Sequence, residues 1–334
     1  MTRDGSGDGG EPYVLGLDIG GTKLAAGVVT PRGEALSFVV GPGGSGDDAE
    51  SGVKRLFALG REAMTAAGVE PSRIGAVGIG CGGPLDPARG VLVAPPHLPG
   101  WRDVPITAWA QHEFDRPAVV ENDGTAAAAA EFRFGAGRGV SDLVYLTVST
   151  GVGGGAVVAG RLFRGAAGNG GEFGHVTVDW HGRRCVGCGR RGCLEAYASG
   201  TSIAERAREA VHAGEPSSLP GGATAADVAA AAAAGDPLAV RIWDETTLAL
   251  GCGLTSIVNV FEPEVAVLGG GVTESGEQLL APVRARVEAD AMAAAAERVR
   301  VVPAALGRRV GVIGAAAAVW ERERETADGR REST

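Results

Sequence analysis

The 334-residue chain has the composition of a globular protein, with 45% apolar and 21% charged residues. A formal net charge of −9 gives a nucleic-acid partner no electrostatic attraction, and no apolar run approaches the roughly 20 residues that span a bilayer. Five cysteines, three of them close together, argue against a disulfide framework. Because the first residues also lack the apolar segment of a secretion signal, we expect a reduced, cytoplasmic protein without a nucleic-acid or membrane partner.

Short apolar runs alternate with helical patterns along the chain. In the first half, the predicted strands cover 14–19, 24–30, 34–40, 74–80 and 117–122, and the predicted helices cover 50–68 and 125–135. In the second half, strands are predicted at 142–149, 154–160 and 264–272, alanine-rich helices within 223–260, and an apolar helix at 311–320. Each half begins with strands joined by a glycine-containing turn, which predicts an α/β chain of two similar halves. The polar tails 1–12 and 323–334 are expected to be disordered.

The motif LGLDIGGTK (15–23) is the first candidate binding site. A strand delivers Asp18, then Gly20 and Gly21 turn the chain, and Thr22 and Lys23 follow. Exposed backbone N–H groups in such a turn can hold phosphate oxygens, and a nearby carboxylate can hold a hydrated Mg²⁺. A plain hairpin turn explains the motif equally well, and it is neither a Walker A loop nor a dinucleotide-binding fingerprint.

Two further strands end in glycines in the same manner. STGVGGGAV (149–157) repeats the strand, glycine turn and strand, and LGGGV (268–272) ends a buried strand. Each is weak evidence alone, because tight turns use the same residues. Three such strand ends in one acidic chain favour a nucleotide bound through its phosphates.

The segment VVENDGTAAAAAEF (119–132) ends a strand and begins an alanine-rich helix. Asp123, at the carboxyl end of the strand, is well placed to act as a general base in a cleft. Asn122 or Asp123 also suits a helix cap. The two interpretations are compatible, because cap geometry fixes the position of the carboxylate.

A cluster of metal-ligand residues contains Cys185 and Cys188 at CxxC spacing, with His175 before them and Cys193 after them. One His and three Cys suit a tetrahedral Zn²⁺, and four protein ligands leave no position for a catalytic water, which predicts a structural metal. His181 competes for the histidine position. A redox dithiol and a nucleic-acid-binding zinc module are the alternatives; the third cysteine argues against the first and the acidic net charge against the second.

Together these motifs resemble the ROK family (repressors, open reading frames and sugar kinases) and, among its members, the bacterial glucose kinases. The resemblance covers about residues 13–320 and is carried by LGLDIGGTK, VENDGTAAAAAE, STGVGGG and, most specifically, EFGH followed by CGRRGCLEAYAS. It implies an actin-like or hexokinase-like (ribonuclease H-like) α/β fold of two domains with a central cleft, bound Mg-ATP, and a homodimer or homotetramer. We expect a small domain at 13–124, completed by a C-terminal helix at 310–322, and a large domain at 125–309 with the zinc-binding loop.

The resemblance also implies roles for individual residues. Asp123 would be the base that takes the proton of the sugar's 6-hydroxyl as this attacks the γ-phosphate of ATP. The residues implied to bind the hexose are Gly82, Gly83, His97, Asn122, Asp123, Glu172, His175 and Glu195. Those implied to bind the nucleotide and Mg²⁺ are Asp18, Gly20, Gly21, Thr22, Lys23, Thr150, Gly151, Gly153, Gly154, Gly269, Gly270 and Gly271. A structural zinc would be held by His175, Cys185, Cys188 and Cys193.

The chain departs from the family pattern at two points. The family usually has C-x-C-G-x-x-G-C, whereas Cys185 and Cys188 are separated by one residue more. CxxC is also good zinc spacing, so the ligand set is expected to survive. The glucose kinases commonly have a sugar-contacting asparagine where this chain has His97, which can still donate or accept one hydrogen bond.

The sequence therefore predicts a hexose kinase, with glucose as the first expected substrate and N-acetylmannosamine or fructose as alternatives. A sugar-sensing transcriptional regulator of the same family is the alternative from a different class. Such regulators carry a DNA-binding domain of about 60 or more residues before the kinase-like core, whereas the phosphate-binding turn here starts at residue 15. The presence of Asp123 also argues against a sensor without catalysis.

Overall fold

The structure, a computed structural model, describes residues 10–43, 46 and 48–332. The described residues form two compact units. Unit 1 takes the residues up to Asn122 and those from Gly311 onwards, and unit 2 takes Asp123–Val310. No helix in the described part of the chain combines the length and apolarity needed to cross a membrane.

Unit 1 is organised around one mixed sheet. Its elements in the first part of the chain are β1 (Tyr13–Ile19), β2 (Lys23–Val29), β3 (Val39–Pro42), α1 (Ala49–Ala67), β4 (Ile74–Cys81), β5 (Leu85–Asp86), β6 (Val91–Leu92), α2 (Ile106–Phe114) and β7 (Ala118–Asn122). Five strands form the sheet in the order β3-β2-β1-β4-β7, with β1 antiparallel to β2 and parallel to β4. Helix α1 begins at the cap Asp48, ends at the left-handed Gly68, and buries Leu56 and Phe57 in the same core as Leu15 of β1.

Unit 2 repeats this sheet. Its elements are α3 (Asp123–Phe134), β8 (Leu143–Val148), β9 (Val152–Val158), β10 (Arg161–Phe163), α4 (Glu195–Ala198), α5 (Gly200–His212), α6 (Ala225–Ala233), α7 (Pro237–Phe261), β11 (Val265–Gly269), α8 (Glu277–Asp290), α9 (Ala293–Ala296) and β12 (Arg300–Pro303). The sheet order is β10-β9-β8-β11-β12, with β8 antiparallel to β9 and parallel to β11. The chain then returns to unit 1 with the last helix, α10 (Val310–Glu332).

The repeat places the glycine motifs at equivalent points of the two sheets. One motif joins β1 to β2 and another joins β8 to β9, while glycines also follow β4 and β11. In each unit the first strand and its parallel neighbour end at the same edge of the sheet, where open α/β sheets bind their ligands. The fold thus gathers glycine main chain at the binding edge of each sheet.

Helix α10 packs unusually close to the sheet of unit 1. A Cβ added to Gly16 of β1 would overlap the carbonyl oxygen of Val312, and one added to Gly78 of β4 would overlap that of Ala315. Because the helix carries Ala315–Ala318 on its buried part, helix and strand backbones meet with almost no side chain between them. The glycines in these strands are therefore needed for packing.

Two predictions about the elements were wrong. The strand predicted at 34–40 begins only at Val39, because the Ser37 hydroxyl accepts the Val28 N–H at 3.1 Å and interrupts the ladder to β2. The tail expected to be disordered from residue 323 continues α10 to Glu332, where helix-forming Glu, Arg and Ala predominate and Arg324 pairs with Glu321 at 2.6 Å. Residues 1–9, 333 and 334 of the predicted tails lie outside the described residues.

A buried carboxylate near the end of α3 accepts hydrogen bonds from two connecting segments. Glu131 is fully buried, and its two oxygens accept the backbone N–H groups of Ala136, Ala305 and Leu306 at 2.8–3.1 Å. Three N–H donors satisfy a charge that would be costly to bury alone. This residue joins the connection after α3 to the connection after β12 within unit 2.

The packing of α10 predicts different outcomes for two neighbouring glycines of β4. Gly78→Ala forces a methyl against a main-chain carbonyl and should lower the free energy of unfolding by about 2–3 kcal/mol. In the matched control Gly80→Ala, the new Cβ meets its nearest atom at 3.7 Å, and the change should stay within about 1 kcal/mol. Urea unfolding of the full chain measures both, and equal losses in the two variants would contradict the packing account.

Candidate functional site

The turn between β8 and β9 (residues 149–152, called the β8–β9 turn below) has a shape fixed by three hydrogen bonds. The Ser149 N–H donates to the Gly151 carbonyl at 2.8 Å, and the Gly200 N–H of α5 donates to the Ser149 carbonyl at 2.7 Å. The Val152 N–H donates to Oε2 of Glu195 at 3.0 Å. A Cβ on Gly151 would lie 2.8 Å from the same oxygen, so this position has no space for a side chain.

A cavity of about 800 Å³ opens beside this turn in unit 2. It is lined by Ser149 and Thr150 of the turn, Thr201 of α5, Gly271 beyond β11 and the alanines of α6. An apolar wall next to hydroxyl groups and glycine main chain suits a nucleoside with its phosphates, and the volume is that of a small-molecule site. The sequence pointed to the turn and the glycines, but not to α5 and α6, which carry no motif.

The other glycines of unit 2 that were predicted to bind the nucleotide fall into two groups. Some lie at the binding edge of the sheet, and others are needed for packing. Gly269 ends β11, Gly270 has a φ of +94° and lies against the Val148 carbonyl, and Gly271 lines the cavity. Gly153 and Gly154 lie within β9. A Cβ on Gly154 would overlap the ring of Phe173, so this glycine serves packing.

Four polar residues predicted to bind the hexose or to act as base come together in unit 2. Asp123 is the exposed first residue of α3, and its Oδ1 accepts the N–H of Gly124 at 2.8 Å. Desolvation raises the pKa of Glu172; His175 opposes this shift, and the neighbouring carboxylates Asp123 and Glu195 add to it. Such a group of acceptors with few donors of its own is suited to a ligand that brings hydroxyl donors.

The predicted metal ligands also converge. One donor atom from each of His175, Cys185, Cys188 and Cys193 lies within 4.8 Å of the other three. Nδ1 of His175 is 3.8 Å from the Cys185 sulfur, and the sulfurs of Cys188 and Cys193 are 3.5 Å apart. A tetrahedron with metal–sulfur bonds of 2.3 Å has edges of about 3.8 Å, so the donor set fits a zinc ion. His181 lies outside the group, with its ring beside that of Trp180.

The thiols of this cluster differ in acidity. Burial raises the pKa of Cys185 to about 12. Partial burial also acts to raise the pKa of the exposed Cys188, but hydrogen bonds from Arg190, Cys193 and Cys185 together outweigh it and lower the pKa to about 7. Cys188 is thus the most readily ionised ligand. Its sulfur lies 3.5 Å from that of Cys193, so the Cys185–Cys188 pair does not stand apart as a dithiol, which favours a shared cation.

In unit 1 a second group of predicted residues comes together around His97. Its ring would meet a Cβ on Gly82, and its carbonyl oxygen lies 3.0 Å from the Cβ position of Gly21. The Gly20 N–H donates to the Lys23 carbonyl at 3.0 Å and closes the turn between β1 and β2. His97 therefore connects the first glycine turn with the segment after β4.

The other predicted residues of unit 1 lie at the ends of its strands. The carboxylate of Asp18 on β1 faces Gly311 at the start of α10. Asn122 is the buried last residue of β7, Gly83 follows Gly82 beyond β4, and Thr22 is exposed in the turn. All of them lie at the sheet edge where ligands of such folds bind.

Comparisons with known proteins agree on one family. Residues 14–322 match the ROK family. A glucokinase of Thermotoga maritima is 35% identical over 315 residues, which cover 92% of this chain and 98% of that protein. A xylose repressor of Caldicellulosiruptor bescii is 29% identical over 311 residues, covering 92% of this chain and 77% of the repressor.

A solved structure has the same architecture. The crystal structure of a ROK family glucokinase from Streptomyces griseus, in complex with glucose and AMPPNP, matches with a TM-score of 0.78 and 36% identity over 91% of this chain and 98% of that one. The predicted α/β, hexokinase-like fold is confirmed by this likeness and by the repeated sheets. On the match to the family and the identity to its glucokinases, the chain belongs to the ROK family.

Proposed function

We propose that this chain is an ATP-dependent hexose kinase that phosphorylates the 6-hydroxyl of glucose. The observation that carries the proposal is the convergence of Asp123, Glu172, His175 and Glu195 in unit 2, with Glu195 bonded to the glycine turn beside the nucleotide-sized cavity. The similarity to glucokinases, one of them bound to glucose and AMPPNP, supports both substrates. Nothing in the described site favours a regulator, although the family includes repressors.

The acceptor sugar is held by groups that read its hydroxyls. Glu172, His175 and Glu195 contact the hydroxyls around C1 to C3, and Asn122 binds those near the reacting end. Binding a polar sugar requires that buried donors and acceptors be paired, which makes such a constellation selective. His97, Gly82 and Gly83 are also proposed to bind the sugar, with His97 in place of the asparagine that glucose kinases commonly have.

Asp123 acts as the general base. Its carboxylate accepts the proton of the 6-hydroxyl as that oxygen bonds to the γ-phosphorus and the bond to the ADP oxygen breaks. The Gly124 N–H, which donates to Oδ1 at 2.8 Å, fixes the carboxylate at the start of α3. Phosphoryl transfer requires little covalent chemistry from the protein, so positioning and charge neutralisation carry the rate.

The phosphates of ATP bind to main chain and to Mg²⁺. The N–H groups of the two glycine turns, at Gly20–Gly21 and Thr150–Gly151, face the phosphate oxygens, and Lys23 adds a positive charge. Asp18 holds the hydrated Mg²⁺, which neutralises charge on the β- and γ-phosphates when bound. Gly269–Gly271 and the cavity beside α6 accommodate the nucleoside.

Zinc is proposed as a structural ion held by His175, Cys185, Cys188 and Cys193. All four positions are protein ligands, so the ion stabilises the loop that carries the sugar-binding residues without activating water. The cytoplasmic location and the homodimer or homotetramer stay predictions.

Asp123→Asn should lower kcat by about 10²–10⁴-fold, because the amide cannot accept the hydroxyl proton. Glucose binding should persist, since the other sugar contacts remain. A coupled assay of ADP release measures kcat, and calorimetric titration measures the affinity for glucose. Asp115→Asn, at a fully exposed aspartate, is the control, and an Asp123→Asn variant with wild-type turnover would remove this residue as the base.

The acceptor is tested with a panel of hexoses. Glucose should give the highest kcat/KM among glucose, mannose, fructose, N-acetylmannosamine and N-acetylglucosamine, measured by ADP release at fixed Mg-ATP. If glucose is not among the best acceptors, the assignment of the hexose is wrong, whereas the assignment as a hexose kinase still holds.

The metal assignment is tested by elemental analysis of the reduced chain. Wild type should contain about one zinc per chain, and Cys193→Ser should lose it, because three ligands hold zinc far less tightly than four. The Cys193→Ser variant should also show a weaker affinity for glucose. Cys252→Ser, outside the cluster, should retain the metal, and a zinc-free active wild type would refute the structural role.

A further inference from the structure

The β8–β9 turn is held by main-chain hydrogen bonds and by one side chain. The segment 195–201 holds the turn by main-chain contact, through the Gly200 N–H to the Ser149 carbonyl at 2.7 Å, and by the bond from the Val152 N–H to Oε2 of Glu195 at 3.0 Å. The first bond joins two backbones and survives most substitutions. The second requires the Glu195 carboxylate to stay in place.

The other oxygen of this carboxylate lies against the metal-ligand loop (residues 175–193, called the metal loop below). Oε1 of Glu195 is 3.3 Å from the sulfur of Cys185. A Cβ added to Gly187 would overlap Oε1 and would lie 3.5 Å from Cε1 of His175. Oε1 is therefore in contact with one metal ligand, Cys185, and close to Gly187, which lies between Cys185 and Cys188 in the sequence.

A side chain at either of two glycines would displace this carboxylate. A methyl group at Gly151 would come within 2.8 Å of Oε2, and one at Gly187 would displace Oε1. Glycine at both positions leaves room for one side chain to contact the turn through Oε2 and the metal loop through Oε1. A displacement of the metal loop at Cys185 would act on Oε1 and, through the same carboxylate, on its bond to the Val152 N–H.

We propose that Glu195 is a positioning residue that couples the metal loop to the β8–β9 turn, so that zinc in the loop strengthens nucleotide binding at the turn and the nucleotide strengthens zinc binding. A loop fixed by its metal fixes Oε1, and the turn is then held in place before the phosphates arrive, which lowers the entropic cost of their binding. Coupling between two sites is reciprocal by thermodynamic linkage. Zinc is one of the two coupled ligands, and the identification of the other as a nucleotide rests on the proposed kinase function.

The first test perturbs the turn and observes the metal. Gly151→Ala touches no metal ligand, yet it should accelerate the transfer of zinc from the loaded full-length chain to a chelating dye by about 5-fold or more. Gly153→Ala is the matched control in the same segment, because its Cβ meets only Thr147 Cγ2 at 3.4 Å, and its release rate should stay within about twofold of wild type. No sugar or nucleotide is present, so this result does not depend on catalysis.

The second test perturbs the loop and observes the nucleotide. With zinc saturating, Gly187→Ala should weaken the binding of MgADP by about 5-fold or more in calorimetric titration. Val186→Ala, whose side chain is 72% exposed, is its control. Glu195→Gln has nearly the same shape and loses one acceptor oxygen, so it should show both effects even if a glycine variant folds poorly.

The outcomes separate the two proposals. Because the coupling is reciprocal, an unchanged zinc-release rate in both Gly151→Ala and Glu195→Gln overturns it, as does an unchanged MgADP affinity in Gly187→Ala. A wild-type chain that fails to bind MgADP counts against the proposed kinase, while the zinc-release arm still decides the coupling.

Discussion

The hydrogen bond from the Val152 N–H to the Glu195 carboxylate connects the glycine turn of unit 2 to the segment that follows the predicted metal ligands. One oxygen of this carboxylate holds the β8–β9 turn, and the other lies beside Cys185 in the metal loop. Asp123 and Glu172 are close enough for the carboxylates to act on one another electrostatically. Glycines at 151 and 187 are required because any side chain there would push the carboxylate away.

Glycines also allow close packing of helices against both sheets. Gly16 and Gly78 let α10 approach β1 and β4, and in unit 2 a Cβ on Gly124 of α3 would overlap the Gly154 carbonyl of β9. Close packing of backbones fixes the strand ends, and with them the glycine turns that are proposed to bind phosphates. The alanines of α3 and α10 meet the same requirement, because larger residues would separate these helices from their sheets.

Much of this arrangement could be predicted because it is local in sequence. Short stretches of neighbouring residues predicted strand β1 with its glycine turn, and the cysteine spacing predicted the metal ligands. The run of alanines predicted helix α3. The features that were missed depend on contacts between distant segments. Ser37 interrupts a strand by accepting a bond from Val28, and Glu131 is buried because it accepts N–H groups about 175 positions away, at Ala305 and Leu306.

The candidate site shows the same division between local and distant information. The family resemblance implied that Glu195 binds the sugar. The bond from the Val152 N–H to Glu195 could not be predicted, because the two residues are 43 positions apart and only the fold brings them together. The cavity wall from α6 had no signal at all, because alanines carry no chemistry. What the sequence supplies is the identity of the reactive groups, and what the fold supplies is their convergence.

In the proposed kinase, Asp123 faces the 6-hydroxyl of a hexose whose opposite end is held by Glu172, His175 and Glu195. The most direct measurement is proton-coupled ³¹P NMR of the product formed from glucose and Mg-ATP. The phosphorus resonance of a phosphate ester on C6 is split into a triplet by the two protons of that carbon. A kinase that phosphorylates the 6-hydroxyl gives only this triplet as its sugar phosphate signal. A phosphate split by the single proton of C1, or the absence of any sugar phosphate, would contradict the proposal.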